Sequence, residues 1–319
     1  MQQYIIQRLL LNIPVIFLVI TLVFLATRIQ PDFAERRAAQ GATGFGSYDL
    51  AVKQIRKQLG TDKPLPEQYV RYVGGVLRGD FGDSLLTKKP VLTELKNRLG
   101  PSIELGILQM IVAVAISVPI GVISAVRQDT WLDYLLRFFA VLGLAIPSFY
   151  LATLMLIFAF NWFNWAPPIT GFKSFFNDSV LNLKAMAIPA LAGGFASGAI
   201  IMRLLRSQLL EVLRQDYVRT AWAKGLKERT IIVRHALKNA MIPVFTVVGL
   251  LIATLFGGNV VLESMFTIPG VGLLVVTAFQ QADFPVVQSI VLVIALALVF
   301  TNLVVDLSYA WLDPRIRYG

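Results

Sequence analysis

The chain has 319 residues, 56% of them hydrophobic and 15% charged, with a mean hydropathy of +0.68 and a formal charge of +10. That apolar load exceeds what a soluble core of this size can hide, so soluble folds give way to the membrane class. With no cysteine and one histidine, disulfide scaffolds, thiolate metal sites, cysteine nucleophiles and multi-histidine centres within the chain are excluded as well.

Crossing a hydrocarbon core about 30 Å thick takes roughly 20 apolar residues. Six segments qualify, near Leu9–Thr27, Ile103–Val126, Leu135–Phe160, Ala185–Leu205, Met241–Leu262 and Val286–Tyr309. Arg8 before the first run imitates a signal peptide, but the run is too long and lacks a small-residue cleavage pattern before Gln30-Pro31, so it reads as a retained helix. Pro14, Pro119, Pro147, Pro189 and Pro243 punctuate the spans. Gly193, Gly194, Ser197 and Gly198 leave one face of the fourth nearly bare, which suits close helix packing and a water-lined path about equally.

Between the first two spans, residues 29–98 predict a helical extracytoplasmic insertion. Val52, Ile55 and Leu59 recur at helical spacing before a C-cap at Gly60, and Tyr69, Val70, Val73 and Leu77 repeat the pattern. Gly79, Asp80, Gly82 and Asp83 read as turn chemistry, since the alternating oxygen ligands and terminal Glu of a calcium loop are missing.

Orientation follows from Lys and Arg. The connection after the fourth span carries Arg206, Arg214, Arg219, Lys224, Lys227, Arg229 and Arg234, whereas the one after the fifth offers Glu263 and Asp283 and no basic residue. The basic connection is therefore cytoplasmic, and six spans then place both termini inside, in agreement with Arg315 and Arg317. The 29–98 region is itself rich in Lys and Arg and disagrees, but long segments translocate largely regardless of charge. Positive charge retained beside anionic lipid accounts for the net balance without a nucleic-acid partner.

The basic connection holds "DYVRTAWAKGLKERTIIVRHALKNAMIPV", residues 216–244. Val218, Ala221 and Trp222 form one apolar stripe of a short helix, and Gly225 supplies the left-handed residue that ends it. A second helix resumes through "ERTIIVRHALKNA", with Asn239 and Pro243 marking its entry into the fifth span. His235 has no carboxylate neighbour in sequence and reads as a packing or surface residue. So short an amphipathic helix needs a surface: lipid headgroups, its own bundle, or another protein.

This stretch resembles the coupling loop, or EAA loop, of type I ABC importer permeases of the dipeptide/oligopeptide/nickel group. The likeness extends through "YIIQRLLLNIPV", "LGTDKPLPEQYVRYV", "RGDFGDSL", "SIELG", "LGLAIPSFYLA", "MRLLRSQLLEVLRQDYVRTA" and "LVVDLSYAWLDPRIRYG". Two departures stand out: Trp222 replaces a second basic residue, and "QPDFAE" replaces a Pro-Gly-Asp-Pro-like turn. The resemblance implies an all-α fold of six transmembrane helices in the plasma (inner) membrane of a prokaryote. It divides the chain into residues 1–28, the 29–98 insertion, a transmembrane domain over 99–309 containing the coupling loop at about 207–240, and a cytoplasmic tail at 310–319. It implies a second homologous permease subunit, two ABC ATPase subunits beneath and an extracytoplasmic substrate-binding protein above, besides membrane lipid. ATP and Mg would be held by the ATPases, and no cofactor by this chain. Consistently, no phosphate loop of the G-x-x-x-x-G-K-[ST] type is present, "GDFGDSLLTKK" lacking its spacing.

On the same grounds Val218, Arg219, Thr220, Ala221, Trp222, Gly225 and Leu226 become the residues of coupling to the ATPase. The apolar stripe would seat in its groove, with Gly225 and Leu226 as the corner. Glu263, Pro269, Gly270 and Asp283 become candidates for the external gate, against the alternative that the two acids are solvated loop carboxylates; Leu273, Leu274, Val276 and Ala278 predict a short helix between them. A secondary transporter would want ionisable residues near mid-membrane, where only peripheral Glu104 and Asp306 are available, and an intramembrane enzyme finds almost no catalytic equipment. A receptor or scaffold would need no pathway. Peptides are the commonest cargo of the group, with nickel complexes, glutathione and oligosaccharides as alternatives.

Overall fold

The computed structural model describes residues 2–28, 47–168, 171–257 and 259–312. Among these, helices account for all regular structure: α1 Gln2–Arg28, α2 Ser47–Leu59, α3 Leu65–Arg78, α4 Val91–Val126, α5 Trp131–Ala145, α6 Ser148–Phe163, α7 Ser179–Leu213, α8 Asp216–Ala223, α9 Glu228–Thr230, a π-helix Ile231–Ala236, α10 Leu237–Gly257, α11 Val260–Met265, α12 Val271–Gln280 and α13 Phe284–Leu312. Five are long and apolar enough to cross a membrane, and six spans result if α5 and α6 count as one. The departure at "QPDFAE" and the tail from Asp313 lie outside the described residues.

The third expected span is not one helix. The apolar run 135–160 is broken between α5 and α6 by a bend of 110°. Pro147 lacks the N–H an uninterrupted helix needs and forces the residue before it out of the helical region; Ile146 accordingly sits at φ −88°, ψ 121°. The fifth span also ends sooner than expected. Its helix stops at Gly257, where Gly257-Gly258 favours a break, and α11 starts afresh with Asn259 Oδ1 accepting from Leu262 N at 3.2 Å. The second and fourth spans run further than their apolar cores, α4 from Val91 and α7 from Ser179 to Leu213. Asp178 starts α7 by accepting from Leu181 N at 3.1 Å.

The chain forms two compact units, one of Met1–Ser102, Phe256–Ser264 and Pro269–Gly319, the other of Ile103–Leu255 and Met265–Ile268. In the first, α1 packs along α13 and against α3. Ile20, Val23, Val73 and Leu292 make their shared core, with the Phe24 ring edge-on to Tyr69 at 5.3 Å. The predicted cap at Gly60 holds, at φ 66°, and Gly79, expected only as part of a turn, caps α3 at φ 75°. The stripe on α3 is covered only at its centre: Val73 is buried, while Val70 and Leu77 are exposed. Gly82 donates to Asp80 Oδ1 at 2.9 Å, the turn chemistry expected there.

In the second unit, α5 and α6 lie against α7, and Ala113 and Ala125 of α4 join Ile201, Leu205 and Leu209 of α7 and Ala236, Ala240 and Val244 in one core. The bare face of α7 is filled by α4. A Cβ on Gly194 would stand 2.6 Å from Val112 Cβ and 2.7 Å from the Gln109 carbonyl oxygen, and one on Gly198 3.1 Å from the Ala113 carbonyl oxygen. Close helix packing, not a water-lined path, accounts for that face.

Candidate functional site

The basic insert folds as α8, a tight corner, and the π-helix that runs on into α10. Asp216 in the first turn complements the positive end of the α8 dipole. The helix closes in a Schellman arrangement: Leu226 N donates to Ala221 O at 3.4 Å and Gly225 N to Trp222 O at 2.9 Å. Gly225 takes φ 74°, and nothing lies within 4 Å of a Cβ built there. The corner thus demands a left-handed residue while leaving open space around it.

The stripe expected to face a partner divides. Val218 and Ala221 are buried against Ile231, with Val212 and Leu213 packed around them. The correction has a simple cause: two apolar residues on an eight-residue helix are covered most cheaply by the neighbouring end of α7 and the π-helix, so the helix docks on its own bundle. Trp222 stays 48% exposed and Leu226 38%, and Arg219 and Thr220 face outward with them. Arg219 Nη1 approaches Asp216 Oδ1 at 3.4 Å on this exposed side, and Thr220 Oγ1 donates to Asp216 O. Asn239 Nδ2 donates to the Tyr217 hydroxyl at 2.7 Å, tying α8 to the start of α10. His235 is half-buried in the π-helix, which sequence reasoning did not foresee. Beside it a cavity of 320 Å³ opens between the end of α4 and the insert, walled by Val122, Ile123, Val126 and Ile232, with Arg127 and Arg229 at its edge.

The two carboxylates proposed for the gate are not solvated. Glu263 is fully buried and accepts four hydrogen bonds: from Ser102 Oγ at 2.8 Å, Asn259 N at 3.1 Å, Gly272 N at 2.7 Å and Leu273 N at 3.2 Å. Ser102 Oγ in turn accepts from Val271 N at 2.8 Å. Burial raises the Glu263 carboxyl above its ordinary value against the downward pull of these donors. Gly270 and Gly272 are needed for the approach, because a Cβ on Gly270 would stand 2.3 Å from Glu263 Oε2 and one on Gly272 2.7 Å from Val260 Cα. Pro269 opens the same turn. Asp283, also buried, accepts from Ser84 Oγ, from Leu85 N at 3.0 Å and from Leu86 N at 3.3 Å. Two carboxylates therefore fasten two loops, and neither points a free oxygen to solvent. Sequence reasoning missed Ser84 and Ser102, although both sit in motifs it singled out, "RGDFGDSL" and "SIELG". The predicted helix between the two acids is α12. Glu104 serves a similar local purpose in the other unit, accepting from Asn182 Nδ2 at 2.8 Å and from Ser174 Oγ. Among the described residues, no group of His, Cys, Asp and Glu is placed to hold a metal ion.

A chain of apolar spanning helices with a basic, outward-facing elbow has the layout of a membrane component of a larger transport machine. The model of the family described as binding-protein-dependent transport system inner membrane component matches residues 117–318, and that of the N-terminal part of such components matches residues 1–105. The chain belongs to this family, as a type I ABC importer permease of the peptide group. It is similar along its whole length, and along the whole of each relative, to the dipeptide transport system permease protein DppB of Alkalihalophilus pseudofirmus, at 39% identity. The same full coverage holds for the glutathione transport system permease proteins GsiC of Pectobacterium atrosepticum and Salmonella paratyphi A, at 37% and 38%.

Proposed function

We propose that this chain is one half of the translocation pathway of a peptide importer, driven from the cytoplasmic side through the 216–243 insert. The relatives named for dipeptide and glutathione transport both handle short peptides, which supports that cargo class. A second, homologous permease supplies the other half, two ATPase subunits bind and hydrolyse ATP with Mg, and an extracytoplasmic binding protein delivers substrate. This chain catalyses nothing itself, and its termini lie in the cytoplasm. The observation that carries the reading is the two-faced α8. Its inner face, Val218 and Ala221, is fixed to the chain's own core, so the outer face of Arg219, Thr220, Trp222, Gly225 and Leu226 is a rigid handle rather than a loose helix. A closing pair of ATPases that grips this face pulls on α7 and the π-helix together, tilting the spans as rigid bodies. Glu263, Pro269, Gly270 and Asp283 take the gate role as fasteners of the loops, not as ligands for a peptide amine.

Gly225 offers the test. Gly225→Ala costs about 1 kcal/mol of backbone strain with no internal clash, so it leaves assembly and transport near normal. Gly225→Asp carries the same strain and adds a charge at the gripped corner; the expected result is an inserted, assembled complex that has lost substrate-stimulated hydrolysis and uptake. Full uptake by the Asp variant would sink the coupling assignment.

A further inference from the structure

A buried acid meets a partly exposed base at a point that the transport reading leaves unexplained. Asp133, in the first turn of α5, is fully buried. Arg206 of α7 reaches it with two parallel hydrogen bonds, Nε to Oδ1 at 2.9 Å and Nη2 to Oδ2 at 2.7 Å. The same carboxylate accepts from Ser124 Oγ of α4 and, at 3.1 Å, from Asp129 N in the turn between α4 and α5. Arg137, one turn further along α5, stands 3.8 Å away on its exposed side. One carboxylate therefore joins three helices.

Taking two charges out of water costs several kcal/mol, and a buried pair of this kind commonly adds no stability over well-packed apolar residues. What it does provide is direction, since a planar guanidinium fork fits a carboxylate in only one relative placement of the helices carrying them. Its position gives that property a use. Arg206 lies about two turns before the end of α7 at Leu213, and α8 begins at Asp216. Asp133 lies just inside the helix that Thr130 caps after the α4–α5 turn. A pull on α8 thus runs up α7 and meets Arg206 within those two turns.

We propose that the Asp133–Arg206 pair is a strut that passes the displacement of the insert from α7 into α4 and α5, so that the three helices turn as one body in each transport cycle. The proposal rests on the coupling reading above. Asp133 and Arg206 are positioning residues and touch no substrate.

The test uses the complete transporter with its partner subunits in proteoliposomes, measuring ATP hydrolysis beside uptake of a radiolabelled dipeptide mixture and of glutathione. With Asp133→Asn, ATPase subunits still copurify and hydrolysis persists, while substrate carried per ATP falls about tenfold or more. Arg206→Lys keeps the charge but gives up the fork, and loses less. Ser124→Ala leaves the ion pair in place and lowers the ratio by about twofold, the loss of one hydrogen bond. A packing role alone predicts parallel loss of assembly and hydrolysis with an unchanged ratio in the protein that remains; that pattern, or an unchanged ratio in all three variants, overturns the strut. The unaltered chain separates the two levels of inference. If it fails to bind ATPase subunits or to drive uptake, the coupling reading itself is wrong; if it transports and the variants match it, only the strut is wrong.

Discussion

Glu263 shows how much a single side chain can decide. Burial makes its ionised form expensive, so the folded protein holds the proton to higher pH than an unfolded chain, whose ordinary value is 4.5. A group raised in this way contributes its full stability below that ordinary value and loses it as pH rises through the folded value. The melting temperature of the native protein minus that of Glu263→Gln should therefore fall as pH rises from about 4.5 towards neutrality. A difference that stays flat across this range would remove burial as the governing effect. None of this was legible in the sequence, where Glu263 and Asp283 look like loop acids. Their partners Ser102 and Ser84 stand 161 and 199 positions away, and only the folded chain brings them to one place. The Asp133–Arg206 pair was hidden in the same way, by a separation of 73 positions, each member passing for an ordinary charge at the end of a span.

At the scale of elements, neighbouring glycines of α7 make opposite predictions. A Cβ on Gly193 meets mainly the amide end of the Gln109 side chain, which can swing aside, whereas one on Gly194 meets Val112 Cβ and a backbone oxygen, which cannot. Gly194→Ala should destabilise the protein by about 1–3 kcal/mol through overpacking, and Gly193→Ala by well under about 1 kcal/mol. Denaturation of the two variants in mixed detergent micelles measures the difference; equal costs would mean that α4 and α7 can part at no expense. Hydrophobic periodicity located most helices because burying or lipid-facing apolar residues is what sets them. It failed where apolar content stays high across a change of direction, as at Pro147, whose backbone effect outweighs the greasy run around it. It also could not decide which surface covers Val218 and Ala221, since the same stripe suits a partner, a bilayer or the end of α7. Gly225 was legible, because a left-handed corner is a local demand that needs no knowledge of neighbours.

For the molecule as a whole, sidedness is the property on which the functional reading stands. The chain contains no cysteine, so a single introduced thiol reports its own compartment without a background. A thiol at Trp222→Cys should react with a membrane-impermeant maleimide only in inside-out vesicles, and one at Lys63→Cys, in the turn between α2 and α3, only in right-side-out vesicles. The reverse pattern would turn the protein over and end the coupling account. Sequence alone assigned this against a conflicting signal, because the 29–98 segment carries more cations than the insert and charge counting weighs long segments poorly. The π-helix at Ile231–Ala236 sets a final condition. Such a turn holds one residue more than an α-turn, and each residue rotates a helix by about 100°. Were the six residues to relax to ordinary α winding without losing one, the elbow would swing around the helix axis by about that angle while α10 kept its place; deletion of one residue with the same relaxation would leave its bearing nearly unchanged. The compass bearing of the handle is thus written in the winding of one turn: rewinding those six residues would re-aim it, without touching any side chain that a motor would grasp.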